Sequence, residues 1–344
     1  SRADGPGHCD RGDLVQVIGI AGTAKNTGKT TTTASIISQW QAPRALAVTS
    51  IGYDGESRDN VTGLPKPRLH LPAGALVVTA DKCLGAGSAR LENLEKTELA
   101  TPLGRLVISR VRQGGLAVLA GPNSLSALKF CISRLRGLGT KLLLVDGALG
   151  RLAPMAAGLV LATGAARSRD LKRLAQETGA FAALLNLPRA EEPQEPALRL
   201  GSMLVEEDGR EYARAARGYK TVVFTGVAEQ KPLARFLEGL SSVPALVFAD
   251  PTKLLFSADL VETAALLRGY RTRGGRVGVV NPLPLKGVTI NPFFPDFDEA
   301  DYRYAPGYVD ALALHEAIAR SVSVPVVDVI RQGGEELAKI LDLE

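Results

Sequence analysis

The residues best suited to chemistry stand in one short turn, Gly22-Thr23-Ala24-Lys25-Asn26-Thr27-Gly28-Lys29-Thr30-Thr31. Backbone N–H groups in a glycine-rich turn, together with the positive end of a following helix, converge on an anion. A lysine at the position of Lys29 reaches the terminal phosphates of a nucleoside triphosphate, and a hydroxyl at Thr30 holds Mg²⁺. The chemistry expected here is Mg²⁺-assisted binding of ATP by residues 22–31, with Lys29 acting on the phosphates. A strict G-x-x-x-x-G-K-[ST] pattern would put glycine at position 23, where this chain has Thr23; Gly22 comes one residue earlier. The plain alternative is a Gly/Thr-rich turn with a chance lysine.

Such a turn works only between a strand and a helix. Leu14-Val-Gln-Val-Ile-Gly-Ile20 reads as the strand, and Thr31 to Trp40 is compatible with the helix. Two carboxylates from neighbouring strands usually complete the Mg²⁺ site. Asp146 ends the apolar run Lys141-Leu-Leu-Leu-Val-Asp146, which aims it at the carboxyl edge of a sheet. The segment Thr49-Ser-Ile-Gly-Tyr-Asp54-Gly-Glu56 follows the second strand. There Asp54 is a candidate metal contact and Glu56 a candidate for orienting or deprotonating a nucleophile. The bland readings are a turn aspartate before Gly147 and a solvated acidic turn. Asn186 follows Phe181-Ala-Ala-Leu-Leu185, read as a strand, and is either a base-reading amide or an Asx-turn before Pro188. No Asn-Lys-x-Asp guanine motif is present, which favours ATP over GTP. Ser168-Arg169-Asp170 reads as a helix start.

The rest of the first half alternates strand and helix signals, with strands expected at 45–49, 75–79, 106–110, 116–119, 141–146 and 158–163. Helices are expected around 88–99, after a Ser124 cap, and at 167–178. Apolar runs alternating with helices imply an α/β fold built on a mainly parallel, doubly wound sheet. Pro188 to Pro196 holds three prolines and three glutamates in nine residues and reads as a linker. Beyond it strand–helix alternation resumes, and Asn281 to Pro295 is a proline-rich stretch. The expected organisation is a disordered lead-in at 1–12, a nucleotide-binding domain at 13–190 and a second α/β domain at 200–344.

Length and composition fit this. A chain of 344 residues, 45% hydrophobic and 22% charged, can bury a substantial core. No apolar run approaches the roughly 20 residues needed to span a bilayer, and no signal-peptide core precedes the first strand, so a cytoplasmic location without membrane attachment is expected. Cys9, Cys83 and Cys131 are too widely spaced for a disulfide framework or a metal cluster. The net charge of +5 is scattered and aromatics make up only 5%, which disfavours nucleic-acid binding.

The spelling Gly-Thr, four residues, Gly-Lys-Thr is similar to the loop of dethiobiotin synthetase, in a P-loop class that includes MinD-like ATPases and metallochaperone GTPases. Lys25 lies four residues before Lys29, one short of the extra lysine of MinD-like loops. Several segments together resemble one family: 22–30, Thr49 to Glu56, Pro65 to Leu69 with Val77-Val-Thr-Ala80, Ala120-Gly-Pro-Asn-Ser124, and Asp146-Gly-Ala148 with Leu161-Ala-Thr-Gly164. That family consists of P-loop reactivating subunits of cobalamin-dependent lysine 5,6-aminomutase. The resemblance covers roughly residues 14–170. It implies an ATPase that services another enzyme, opening the mutase so that damaged cofactor is exchanged. The implied partners are the aminomutase and a second reactivase subunit, in a homo- or hetero-oligomer. The rival is a ligase similar to dethiobiotin synthetase, activating a carboxylate with the γ-phosphate. Ser50-Ile-Gly-Tyr-Asp54 lacks the lysine-proline segment such ligases carry there. A metallochaperone GTPase would need a guanine motif and a Cys/His cluster, and the sequence has neither.

Overall fold

The computed structural model describes residues 14–51, 68–147, 155–193, 196–298 and 303–343. In chain order the first elements are β1 (Gln16–Gly22), α1 (Lys29–Gln39), β2 (Leu46–Ile51), β3 (Arg68–Leu71), β4 (Leu76–Ala80), β5 (Arg90–Thr101), β6 (Gly104–Gln113), β7 (Gly115–Val118), α2 (Leu125–Gly137) and β8 (Leu142–Gly147). Then follow β9 (Gly158–Gly164), α3 (Leu171–Leu185), β10 (Leu198–Leu200), α4 (Glu206–Ala215), β11 (Thr221–Phe224), α5 (Gln230–Gly239), β12 (Ala245–Phe248), α6 (Thr252–Leu255), α7 (Leu260–Thr272) and β13 (Val277–Val279). The chain ends with β14 (Leu285–Asn291), β15 (Phe293–Asp298), β16 (Arg303–Tyr308), α8 (Ala311–Ala319), β17 (Val326–Val327) and α9 (Glu335–Ile340). This is an α/β fold with a large, mostly parallel sheet in the order β17-β14-β9-β1-β8-β2-β4-β6-β5. Two compact units divide within β1, between Gly19 and Ile20; residues 20–35 and 148–343 form the second.

In the first unit β2, β4 and β8 are buried along nearly their whole length, which is why they read as continuous apolar runs. β8, β2 and β4 are parallel, and β6 and β5 are added antiparallel. Ser124 caps α2 by accepting the Ala127 N–H at 3.2 Å. That helix turns Ala127, Leu128, Cys131, Ile132 and Leu135 inward, one helical stripe. Cys131 is an inert core thiol, pushed up to about 12 chiefly by burial.

The stretch expected to be helical at 88–99 is strand β5. Its Glu, Lys and Leu content favours helix locally, but pairing with β6 prevails. Arg112–Glu92 and Arg105–Glu98 link it to β6, and Arg134–Glu95 links it to α2. Its register shifts in three places, and charges plus bulges are the usual protection of an edge strand.

The second unit carries β9, β14 and β17 as parallel neighbours. Leu159, Leu161, Val288 and Ile290 share a core with Leu174 and Leu185 of α3 and Leu314 and Ile318 of α8. Between α3 and β14 the chain makes a second parallel sheet, β10-β11-β12-β13, in sequence order. Its core stacks Phe224 on Phe248 at 4.6 Å and sets Phe236 edge-on to Phe224 at 5.4 Å. Tyr270, 2% exposed, donates its hydroxyl to the Pro244 carbonyl.

Two expectations are corrected here. Residues 200–344 are not all one further domain: β14 and β17 return to the large sheet. Phe181–Leu185 is not a strand but the last third of α3. Gly179 stays within the helix, where a Cβ would stand 2.8 Å from the Ser321 carbonyl oxygen. Among the described residues no helix is long and apolar enough to cross a membrane.

Candidate functional site

Beyond β1, Thr23 continues the strand pairing by donating its N–H to the Ala162 carbonyl at 3.0 Å. Its hydroxyl meets that of Thr163 at 3.0 Å. These contacts anchor the start of the loop to β9. Thr27, 2% exposed, folds inward and donates to the Ala24 carbonyl at 2.9 Å. Asn26 and Gly28 take positive φ angles of 62° and 95°. Asparagine and glycine are the residues that accept this left-handed conformation at least cost.

Asn291, the last residue of β14, holds the turn from outside. Its Nδ2 donates to the Asn26 carbonyl at 2.8 Å, and its Oδ1 accepts the Phe293 N–H at 3.1 Å. A Cβ on Gly28 would already touch Asn291 at 3.5 Å.

The lysine doubles back over the start of the loop. A Cβ on Gly22 would stand 2.8 Å from Lys29 Cγ and 2.8 Å from Thr27 Oγ1. Glycine is therefore needed at 22, and the departure from the strict pattern has a physical basis: position 22 provides the close approach, while Thr23 spends its hydroxyl on Thr163. The first turn of α1 offers the N–H groups of Lys29, Thr30 and Thr31, which have no carbonyl within the helix to bond. Thr30 and Thr31 are exposed, whereas Thr32 and Thr33 are buried. Thr32 meets Thr289 of β14 hydroxyl to hydroxyl at 2.7 Å, and Thr33 donates to the Lys29 carbonyl at 3.0 Å. Loop, helix start and β14 thus form one hydrogen-bonded assembly.

A cleft of about 660 Å³ opens beside Gly22 and Thr23, walled by α3 and by residues 255–261. On its α3 wall Glu177 takes Arg167 at 2.8 Å and Arg173 at 2.9 Å. Burial alone would raise the Glu177 carboxyl, but the two guanidinium bonds outweigh it and hold the group below its ordinary range. Asp170 caps α3 through the Lys172 and Arg173 N–H groups, as the Ser168-Arg169-Asp170 reading expects.

The other candidates fall out as follows. Residues 22–31 form the loop and the start of α1, and Asn291 joins them. Asp146 is 2% exposed at the end of β8, in register with Ser50 of β2. Asp54 and Glu56 lie outside the described residues, as does Cys9. Asn186 is the C-cap of α3, and its Oδ1 accepts the Leu285 N–H at 3.3 Å. Leu285 is level with Leu159 at the amino end of β9, whereas Thr23 meets Ala162 and Thr163 near the carboxyl end. Asn186 is thus at the opposite edge of the sheet from the loop.

The asparagine at the right edge is Asn291, which sequence reasoning passed over. Its signal is Val288-Thr-Ile-Asn291-Pro292, a short apolar strand ending in a polar residue. Nearby Pro282, Pro284 and Pro292 hid it. Among the described residues no group of three or more His, Cys, Asp or Glu side chains has a metal-binding arrangement. No protein-family model matches the chain, and no curated protein or solved structure shows significant similarity to it.

Proposed function

We propose that this chain binds ATP with Mg²⁺ through residues 22–31 and uses the nucleotide to drive a conformational change in a partner enzyme. The observation that carries the nucleotide part is the folding of Lys29 back over Gly22 while Asn291 fixes Asn26 from β14. Lysine, first-turn N–H groups and an exposed Thr30 hydroxyl suit a polyphosphate and its cation. Mg²⁺ would neutralise phosphate charge, with Thr30 as ligand and Asp54 and Asp146 as candidate partners. Glu56 is the candidate for positioning the attacking water.

The partner rests on the family resemblance: a cobalamin-dependent aminomutase from which damaged cofactor must be released. Nucleotide favours the open mutase only by binding one conformation of the assembly better than the other. The test is reactivation. Purified chain plus MgATP should restore a cobalamin-inactivated aminomutase where fresh cofactor alone does not, and Lys29→Ala should abolish the effect. Failure of the unmutated chain in that assay would remove the reactivase reading.

One observation favours a second reading, an ATP-dependent ligase. The cleft that begins at Gly22 and Thr23 is of small-molecule size and carries Arg167 and Arg173 on one wall. Rapid ATP turnover that depends on a small carboxylic acid would support the ligase, and slow turnover stimulated by the partner would support the reactivase.

A further inference from the structure

The carboxyl ends of β1, β9, β14 and β17 succeed one another along the sheet edge. β17 therefore ends three strand spacings, about 14 Å, from the start of the loop. A nucleoside triphosphate held by its phosphates at 22–31 and extended along this edge brings its base to the ends of β14 and β17, the crevice that open α/β sheets offer ligands.

Three observations mark that place. Asp328, the residue after β17, is 4% exposed. Its Oδ1 accepts the Ile330 and Arg331 N–H groups at 3.1 and 3.2 Å, while its Oδ2 is buried with no hydrogen-bond partner among the described residues. A buried carboxylate oxygen left unpaired is costly. Second, large apolar side chains stand in the open on the two segments that meet here, α8 and the turn after β17: Ile330 is 73% exposed and Leu312 64%. His315 Nε2 lies 3.0 Å from the Val326 carbonyl oxygen, which sets α8 against β17. Leu312 is one turn before His315, and Asp328 is two residues beyond Val326, so both lie toward the carboxyl edge. Third, Asn291 ends β14 one residue beyond the level of Asp328 and reaches the loop carbonyl of Asn26.

We propose that Asp328, Leu312 and Ile330 form the nucleobase seat and select adenine. Leu312 and Ile330 cover the ring, and Asp328 Oδ2 accepts one proton of the exocyclic amino group. With Oδ1 already engaged, a single acceptor is left, which suits one N–H rather than the paired donors of guanine. The carbonyl that hypoxanthine and guanine carry in place of that amino group would face the carboxylate and be repelled. The oxygen is shielded from solvent, so seating the base requires a local rearrangement around Asp328. This seat rests on the nucleotide-binding reading above.

The test compares ATP, ITP and inorganic triphosphate, each with Mg²⁺, by titration calorimetry on the whole chain. ATP should bind roughly tenfold or more tighter than ITP, the discrimination expected of a hydrogen bond to a charged group. Asp328→Asn keeps an oxygen for the Ile330 and Arg331 N–H groups and presents a donor instead of Oδ2. It should reverse the preference toward ITP and leave triphosphate binding unchanged. Leu312→Glu, at an exposed position, should weaken ATP without affecting triphosphate, and it keeps the seat testable if Asp328→Asn does not fold. Equal affinity of the unmutated chain for ATP and ITP would overturn the seat while leaving the loop reading intact. An unchanged preference in Asp328→Asn with a lowered Tm would do the same, reducing Asp328 to a turn residue. If neither ATP nor triphosphate binds the unmutated chain, the loop reading fails and the seat falls with it.

Discussion

Replacing Asn291 by alanine tests whether the loop is shaped by the strand beside it. The change removes two hydrogen bonds, Nδ2 to the Asn26 carbonyl at 2.8 Å and the Phe293 N–H to Oδ1 at 3.1 Å. The Asn26 bond is exposed and the Phe293 bond part-buried, so water can replace much of what is lost. Each bond then contributes about 0.5–1.5 kcal/mol, or about 1–3 kcal/mol together. The Asn26 bond also restrains a non-glycine residue at a φ of 62°, a conformation less favourable than the ordinary helical one.

With the loop near balance between shaped and unshaped forms before nucleotide arrives, losing about 1.4 kcal/mol of bias lowers apparent ATP affinity by up to about tenfold, because only the competent fraction binds. Asn291→Ala should therefore weaken ATP by up to about tenfold in calorimetry and lower the Tm. Adding Asn26→Gly, which supplies the positive φ without strain, should recover part of the affinity. If Asn291→Ala binds ATP within twofold of the unmutated chain although its Tm falls, β14 does not shape the loop and the reasoning is wrong.

Gly22→Ala would push a methyl group onto the Lys29 stem and Thr27, and overpacking of about 1–3 kcal/mol should appear as a tenfold to hundredfold loss of ATP binding. Binding at the unmutated level would show that Lys29 need not pass there. Thr32→Val should cost about 1–3 kcal/mol in denaturant unfolding by stranding the Thr289 hydroxyl, whereas Thr32→Val with Thr289→Val should recover most of it. Phe236→Ala should cost about 3–5 kcal/mol, since it empties the edge-on partner of Phe224 in the second sheet. Glu177 is held below its ordinary value of 4.5, so between the folded and ordinary values the unfolded chain binds more protons and stability rises with pH. Its contribution is present above 4.5 and lost as pH falls through the folded value. Acid titrations of Tm should be flatter there when Arg167 and Arg173 are both replaced by methionine.

Much of the architecture was legible because buried parallel strands need uninterrupted apolar runs. β2, β4, β8 and β9 all announce themselves in this way, and the loop between β1 and α1 follows from its glycines and Lys29. What stayed hidden depended on partners distant in sequence. β5 is composed of helix formers and becomes a strand only against β6. β14 is interrupted by Lys286 and Gly287 and set among prolines, so its membership of the large sheet is visible only once β9 and β17 flank it. Asn186 and Asn291 both stand at the end of an apolar run. The hydrogen-bonded company each keeps, Leu285 for one and Asn26 for the other, distinguishes them.

The bond from Leu285 to Asn186 has a topological consequence. These residues are 99 positions apart, yet they mark adjacent points where the chain leaves the large sheet and rejoins it. The intervening second sheet is thus a module carried on a closed neck, and its loss would require only a tight connection from α3 to β14. Excision would bare Ala180 and Leu184 of α3, which now pack into the module's core, so a functional truncation would carry polar residues at those two positions. The arrangement is that of an insertion, in which the sheet edge that carries residues 22–31 and the inserted module are free to change at different rates.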